Sequence, residues 1–345
     1  YSKQRFVLCP RFHPETVKNI THLTMKKFFK GLLYLVLAVV VLIGCFVAYI
    51  AIDGIPKYEA ATVEKKIEVT PEKVAIGAKI AAVQCVVCHR GSDGKLSGRK
   101  LSELPPEFGE IYSANITQSK TAGIANWTDG ELYYLLRTGC KPDGQYIPVY
   151  MPKFPHMSES DMEGVIAWLR SDNAEVQASE IAKVPSKPSM LVKFLSHVAF
   201  KKIPLNAEPI NAPDTNNLPA YGRYLVAGRY DCYPCHSADF KTLNMEFPEK
   251  TPGYCGGGNM MVNLNGNQIF TANLTADDAT GIGTWTEEDF KKAMHEGVNK
   301  EGKSLRDPML RYNGLTNQEV KAIFTYLRSV PVIKNKVDRQ WDKDL

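Results

Sequence analysis

Residues 84–93 read QCVVCHRGSD, and residues 231–240 read DCYPCHSADF. Each stretch holds two cysteines that are separated by two residues and followed at once by a histidine. The members of the two copies are Cys85, Cys88, His89, Cys232, Cys235 and His236. This pentapeptide is the attachment signature of c-type haem, in which both thiols bind one haem covalently and the histidine reaches the iron. The sequence therefore predicts two covalently bound haem c groups.

Two other uses of a Cys-x-x-Cys pair compete with haem. A thioredoxin-like redox pair needs no following histidine, and neither copy lies in a recognisable strand-to-helix unit. A zinc site usually brings two pairs together with about 15–20 residues between them. The two pairs of this chain are separated by most of its length. The histidine that follows each pair and the wide separation of the two pairs favour haem over these alternatives.

Each motif precedes a matching block of sequence. Residues 112–139 read YSANITQSKTAGIANWTDGELYYLLRTG, and residues 270–297 read FTANLTADDATGIGTWTEEDFKKAMHEG. The two blocks align at a constant offset of 158 residues, so that Trp127 meets Trp285. Such self-similarity indicates an internal repeat, and we expect two copies of one domain.

The same offset identifies candidates for the sixth iron ligand. Three methionines follow the first block, and adding 158 to their positions meets another methionine only for Met151, which pairs with Met309. We therefore predict His89 with Met151 and His236 with Met309 as the axial pairs. In the alternative interpretation, these methionines are core residues. His156 is a second candidate for the iron ligand that we assign to Met151.

An apolar segment lies near the N-terminus. Residues 31–52, GLLYLVLAVVVLIGCFVAYIAI, contain no Asp, Glu, Lys, Arg or His. At 1.5 Å per residue this length crosses a bilayer as a helix. The first 52 residues hold seven basic residues and one acidic residue, against 35 and 36 in the remainder. The positive-inside rule then predicts a cytoplasmic N-terminus, haem domains in the periplasm and an inner-membrane location.

The near-neutral remainder excludes a basic nucleic-acid face, which needs clustered positive charge.

A competing interpretation of the anchor begins the protein at Met25, with residues 1–24 as an artefact, and reads LIGC at residues 42–45 as a lipoprotein cleavage box. The protein would then be anchored through a lipid on Cys45. The apolar run continues over residues 46–52, which favours an uncleaved anchor.

Local signals predict helices around the motifs. Thr70-Pro71 and Leu218-Pro219 place proline at a helix start, and capping signals at residues 128, 158, 286 and 316 begin further helices. These signals predict a mainly helical chain, with one transmembrane helix followed by two tandem copies of one domain. The predicted segments are a cytoplasmic tail at 1–30, the anchor at 31–52, a linker at 53–69, domain 1 at 70–172, a Pro-rich linker at 173–217, domain 2 at 218–331 and a tail at 332–345.

Two further stretches of the sequence predict local structure. The stretch SMLVKFLSHVAF from Ser189 predicts a short amphipathic helix within the Pro-rich linker. The glycine-rich stretch YCGGGNMMVNLNG at residues 254–266 lacks the Lys and Ser/Thr of a P-loop, and we expect a turn that covers the haem. Cys140 and Cys255 remain outside the motifs, and their pairing is left open.

Each copy resembles a class I cytochrome c domain. NIT at residues 115–117, TGIGTWT at residues 280–286 and GRYLVAGRYDCYPCH at residues 222–236 resemble the cytochrome c subunits of membrane-bound alcohol and sugar dehydrogenases. One anchor followed by two such domains is similar to the membrane-anchored dihaem cytochromes c of Bacteroidetes. The resemblance implies an all-α fold, in which one transmembrane helix is followed by two tandem class I cytochrome c domains with helices wrapped around each haem. It also implies contacts to haem propionates or edges, or packing roles, for Asn115, Trp127, Asn273 and Trp285.

These observations predict an electron-transfer protein that is not itself an enzyme. Methionine ligation raises the haem potential and fills the sixth site, which suits transfer of single electrons between respiratory-chain partners at the outer membrane face. The alternatives are a fixed subunit of a membrane dehydrogenase, quinol-oxidising complex or terminal oxidase, and a dihaem peroxidase. A peroxidase needs one haem with an accessible distal face. The matched methionines Met151 and Met309 would instead fill the sixth site in both copies.

Overall fold

The computed structural model describes residues 14–263 and 265–338. The outer parts of the predicted tails, residues 1–13 and 339–345, lie outside the described residues, as does Cys9. The chain divides into two units, Tyr1–Gly54 and Ile55–Leu345.

The N-terminal unit contains helix α1, Pro14–Asp53. Its part Lys26–Asp53 contains an 18-residue window with a mean hydropathy of 3.0 and is long and apolar enough to cross a membrane. The predicted anchor at 31–52 lies inside this part. A signal sequence near an N-terminus meets the same criteria of length and composition.

The second unit is mostly helical, and its helices follow the repeat. The helices of the first half are α2 (Pro71–Gln84), α3 (Val86–His89), α4 (Asp129–Thr138) and α5 (Glu159–Leu169). The connector carries α6 (Met190–Val198). The helices of the second half are α7 (Leu218–Tyr224), α8 (Cys232–Cys235), α9 (Glu287–Glu296) and α10 (Asn317–Leu327).

The helix starts obey the capping rules read from the sequence. Thr128, Thr286 and Thr316 each form a full capping box with the acidic residue three positions on. Ser158 accepts a hydrogen bond from the Asp161 amide at the start of α5. Helix α7 begins one residue before Pro219, with Asn217 as its cap.

The fold is not all-α, because the described residues include four short strands that form two small sheets. Strand β1 (Gly109–Glu110) pairs antiparallel with β2 (Lys187–Pro188), and β3 (Met260–Val262) pairs with β4 (Gln268–Phe270). The second pair lies in and after the glycine-rich stretch that we expected to be a turn. The preceding glycines Gly257 and Gly258 have φ of +67° and +101°, which only glycine adopts readily, and they lead the chain into the hairpin.

The first and last helices of each half cross at a glycine. A Cβ on Gly77 in α2 would lie 2.0 Å from the Gly164 carbonyl oxygen in α5. A Cβ on Gly222 in α7 would likewise lie 2.0 Å from the Ala322 oxygen in α10. The two partners, Gly164 and Ala322, are again 158 residues apart. Close backbone contact is therefore built into both halves at the same place.

Each half has its own buried core. One core draws on buried residues between Ile67 and Val176, and the other on residues between Tyr221 and Val330. The predicted apolar stripes of α5 and α10 are buried in these cores. Both halves nevertheless lie in one compact unit, so the site has to be read across the two of them.

Candidate functional site

The two motif histidines are held in the same way. The first motif follows α2 after a break at Cys85, and the second follows a π-helical turn, Leu225–Arg229, that continues α7. His89 Nδ1 lies 2.7 Å from the Ala114 carbonyl oxygen, and His236 Nδ1 lies 2.9 Å from that of Ala272. A carbonyl oxygen only accepts, so both Nδ1 atoms donate, and the lone pair of each neutral ring is on Nε2.

The carbonyl partners belong to the repeat. Ala114 and Ala272 are 158 residues apart and directly precede the asparagines of the ANIT and ANLT stretches. Both histidines are buried, and burial lowers the pKa of His89, although the Ala114 hydrogen bond opposes this. A neutral ring oriented through Nδ1 is the form in which histidine binds a metal through Nε2.

The motif cysteines are not arranged as a redox pair. Burial raises the pKa of the Cys85 and Cys232 thiols to about 12. Reactive Cys-x-x-Cys pairs need the opposite shift, toward the thiolate. No group of three or more His, Cys, Asp or Glu side chains among the described residues is arranged to hold a metal ion. The raised thiol pKa values thus disfavour the thioredoxin alternative.

A cavity of about 620 Å³ adjoins the second motif. Cys232, Cys235, His236 and Met309 line it, among mostly apolar side chains. The first half contributes to the same cavity through residues that include Val83, Gln84, Val87, Cys88, Phe108 and Tyr150. Cysteines of both motifs therefore line a single space.

The two predicted methionine ligands lie in equivalent turns. The Met151 amide donates to the Pro148 carbonyl, and the Met309 amide donates to the Arg306 carbonyl. Donors and acceptors are each 158 residues apart. Met309 lines the cavity with His236, whereas Met151 packs against the core of the first half. His236 and Met309 thus line one space, and both axial pairs remain predictions from the repeat.

The four residues that were expected to contact haem propionates or haem edges are two asparagines and two tryptophans. Asn115 uses its whole side chain within the protein: it donates to the Ser179 and Ile181 carbonyls and accepts from the Thr117 amide and hydroxyl. Asn273 does the same with neighbours in its own half. Saturated amides favour the packing role.

The tryptophans differ in their surroundings. Trp285 lines the cavity beside the second motif. Trp127 packs against the core of the first half. A contact between tryptophan and the haem edge therefore has support in the second half, and for Trp127 it stays a prediction.

The rival ligand His156 has another partner. Its Nε2 lies 2.9 Å from the Met245 carbonyl oxygen, and it must donate there for the same reason as the motif histidines. This bond joins the two halves. The sequence contained no signal for it, because its acceptor is a main-chain oxygen 89 residues away.

An ion network that we did not predict lies between the halves. Arg229 donates from Nε and Nη2 to the Asp161 carboxylate, at 2.6 and 3.0 Å, and from Nη1 to Glu319 at 2.9 Å. The side chains of Arg229, Asp161 and Glu319 are 15%, 2% and 4% exposed. Burial alone would lower the pKa of Arg229, but Asp161 outweighs this and raises it. A buried, two-pronged pair of this kind is geometrically specific.

Further contacts extend the network to both motifs. Lys79 of α2 pairs with Glu319 across the halves, and the Tyr224 hydroxyl donates to Asp161. The Gln84 side chain donates to the Arg229 carbonyl at 3.1 Å. Gln84 directly precedes the first motif cysteine, and Arg229 lies three residues before the second motif. The network thus links the chain segments that carry both motifs.

The two cysteines of the second unit that lie outside the motifs do not form a disulfide in the described structure. Cys140 and Cys255 are both buried and free. Cys140 packs in the first half near Lys153 and Lys202, and Cys255 lies in the core of the second half.

The residues at the second motif fit a haem c. Two thiols, a histidine oriented through Nδ1 and a thioether line one cavity, whose volume is in the range of about 300–1,000 Å³ found for cofactor sites. Its lining is mainly apolar, which suits a porphyrin face. The first motif presents the same histidine geometry, with Cys88 facing the shared cavity.

Comparison with known proteins agrees with this chemistry. Residues 74–172 match the family described as cytochrome c. The fructose dehydrogenase cytochrome subunit of Gluconobacter japonicus is 28% identical, over 72% of this chain and 51% of that protein. The cytochrome c subunit of the alcohol dehydrogenase (quinone) of Gluconacetobacter polyoxogenes is 26% identical, over 74% and 56%.

A diheme cytochrome c-type protein of Cereibacter sphaeroides is 24% identical, over 72% of this chain and 83% of that protein. The chain spans about half the length of the dehydrogenase subunits it matches. The predicted resemblance to dehydrogenase cytochrome subunits and to dihaem cytochromes is confirmed. These relatives are named as cytochrome subunits and not as the catalytic subunits, in line with the prediction that the chain transfers electrons.

Proposed function

We propose that this chain is a membrane-anchored dihaem cytochrome c that serves as the electron-transfer subunit of a dehydrogenase complex on the periplasmic side of the inner membrane. The observation that carries this proposal is the repeated histidine geometry, in which equivalent main-chain carbonyls orient His89 and His236. The helix α1 supplies the anchor, with lipid attachment at Cys45 as the alternative.

Each half would hold one haem c with its own residues. Cys85 and Cys88 would attach the first group, and His89 with Met151 would fill its axial positions. The second group would use Cys232, Cys235, His236 and Met309 in the same roles. When bound, such a group supplies reversible one-electron chemistry at iron. The domain boundaries at 70–172 and 218–331 are part of this proposal.

The chain's own residues would set the conditions for transfer. The hydrogen bonds from Nδ1 would orient both histidines and leave Nε2 for the iron, and the apolar lining would limit water around the second motif. Methionine at both sixth positions would close the irons to peroxide and oxygen, which opposes the peroxidase alternative. The common cavity supports electron passage between two centres within the chain.

Similarity to dehydrogenase subunits favours a fixed subunit over a freely docking carrier. The near-neutral charge balance after residue 52 points the same way, because steered diffusion uses a strong charge asymmetry. Another subunit of the complex would bind the substrate, and the motifs of this chain do not specify which substrate that is.

The full chain, produced in a host that attaches haem c and purified in mild detergent, tests the proposal. We expect two haem c per chain in a pyridine haemochrome assay, low-spin spectra for both, and reduction in one-electron steps. His89→Ala and His236→Ala are each expected to remove the low-spin signal of one haem only.

Two outcomes would contradict the proposal. A ratio of one haem per chain would remove the dihaem assignment, and high-spin iron with rapid peroxide turnover would instead support the peroxidase. The variant Ser237→Ala serves as the matched control, because it changes the neighbour of His236 and leaves the proposed ligands intact.

A further inference from the structure

The connector between the halves carries a concentration of positive charge. Residues 181–207 contain five lysines and no aspartate or glutamate, whereas the chain after residue 52 holds 35 basic and 36 acidic residues in all. The lysines are Lys183, Lys187, Lys193, Lys201 and Lys202. Among them, Lys187 pairs with Glu110 and Lys202 donates to the Tyr134 hydroxyl. The segment is therefore basic on an otherwise balanced unit.

The same segment exposes apolar side chains. Those between 38% and 50% exposed include Ile181, Val184, Met190, Leu191 and Val198. Together with Phe194 they make up six of the ten large hydrophobic residues that are exposed in the described part of the second unit. Isolated exposed apolar residues need no explanation, but a contiguous group marks an interaction surface.

Helix α6 arranges these side chains on one side. At 100° per residue, Met190, Leu191 and Val198 lie within about a third of the helix circumference. Val192 and Ser196 lie on the opposite side and are buried. A third side is left for Lys193. A buried side, an apolar exposed side and flanking lysines are the features of a helix that lies in a membrane interface.

We propose that α6 and its flanking lysines dock on the surface of an anionic phospholipid bilayer. Lysine ammonium groups would contact the phosphates, and Met190, Leu191 and Val198 would enter the boundary between headgroups and acyl chains. The second unit begins at Ile55, directly after the candidate membrane helix ends at Asp53. This inference uses the proposed anchoring for proximity, and adds a second contact that would orient the haem-bearing unit on the membrane.

Hydrogen exchange of the full haem-loaded chain in lipid nanodiscs tests the docking. We expect amides of residues 190–198 to exchange at least about fivefold more slowly in discs with phosphatidylglycerol than in discs of phosphatidylcholine, since each lysine near an anionic surface contributes roughly that factor. The triple variant Lys183→Glu, Lys193→Glu, Lys201→Glu should lose the difference. The matched control, Lys66→Glu, Lys120→Glu, Lys321→Glu, changes the same charge on exposed lysines elsewhere and should retain it.

Two results would overturn the proposal. The first is exchange of residues 190–198 that is equal in both lipids, or equal in the two triple variants. The second comes from a benzophenone side chain in place of Leu191, activated in native membranes: a phospholipid adduct supports docking, and an adduct with a protein would mean that a partner subunit covers α6. In phosphatidylcholine discs the chain stays attached through α1, so failure of docking is read separately from failure of anchoring.

Discussion

Replacing Asp161 by asparagine tests the role of the ion network between the halves. The asparagine side chain keeps the size of the carboxylate, but it removes the negative charge and one of the two acceptors for Arg229. Its amide would also face the Tyr224 hydroxyl, which donates to Asp161 in the native chain. The variant leaves a buried guanidinium with incomplete compensation.

The expected loss is about 3 kcal/mol of unfolding free energy. Breaking a buried ion pair by removal of one partner costs about 3–5 kcal/mol. The lower end applies here because Glu319 still accepts from Arg229 at 2.9 Å. At roughly 2 °C per kcal/mol for a unit of this size, the melting temperature should fall by roughly 6 °C.

Thermal and urea unfolding of the haem-loaded chain, followed by far-UV circular dichroism, measures this loss. Arg223→Gln is the control, because its pair with Glu249 is about half exposed and such pairs contribute less than about 1 kcal/mol. The double variant Asp161→Asn, Arg229→Gln should lose less than the sum of its single changes. A loss for Asp161→Asn no larger than that of Arg223→Gln would refute the reasoning.

Three further predictions follow from the helix crossing, the second axial pair and the interface histidine. Gly222→Ala should cost about 1–3 kcal/mol by urea unfolding, because its Cβ would lie 2.0 Å from the Ala322 oxygen. Gly314→Ala, whose Cβ would meet only the Lys79 Cγ at an ordinary contact distance of 4.0 Å, should stay within about 0.5 kcal/mol, and equal costs would contradict the close crossing. Met309→Ala should convert one haem to high spin and lower its potential in a redox titration; unchanged spectra would reject Met309 as ligand. Burial lowers the pKa of His156 despite its bond to Met245, so the unfolded chain binds the proton more readily. Its stabilising contribution is then complete above about pH 6.5 and is lost as the pH falls toward the folded pKa. His156→Gln should therefore reduce the drop in melting temperature between neutral and mildly acidic pH, and an undiminished drop would exclude this role.

Features set by neighbours in sequence could be predicted from the sequence. The capping boxes at Thr128, Thr286 and Thr316 depend on residues three positions apart, and the buried stripes of α5 and α10 depend on helical spacing. The repeat then carried these local predictions from one half to the other. It also aligned the turns that hold Met151 and Met309.

Features that depend on distant contacts could not be predicted in this way. The hairpin of β3 and β4 follows from left-handed glycines, which the composition alone does not distinguish from an open turn. The carbonyl partners of the histidines are main-chain atoms, although their positions before Asn115 and Asn273 are a signal that was present. The shared cavity requires the packing of the two halves, and no periodicity within one half specifies it.

The ion network shows how a duplicated sequence becomes asymmetric. Asp161 and Glu319 are equivalent positions, 158 residues apart, and each is the third residue of the last helix of its half. Packing the halves through these helix starts brings two buried carboxylates to one interface, where their repulsion would be costly. Arg229 binds both of them, whereas the residue three positions before the first motif is Ala82. Arg229, whose counterpart before the first motif is uncharged, therefore makes the duplicated carboxylates compatible with a single interface, and Lys79 of the first half supplies a second cation to Glu319.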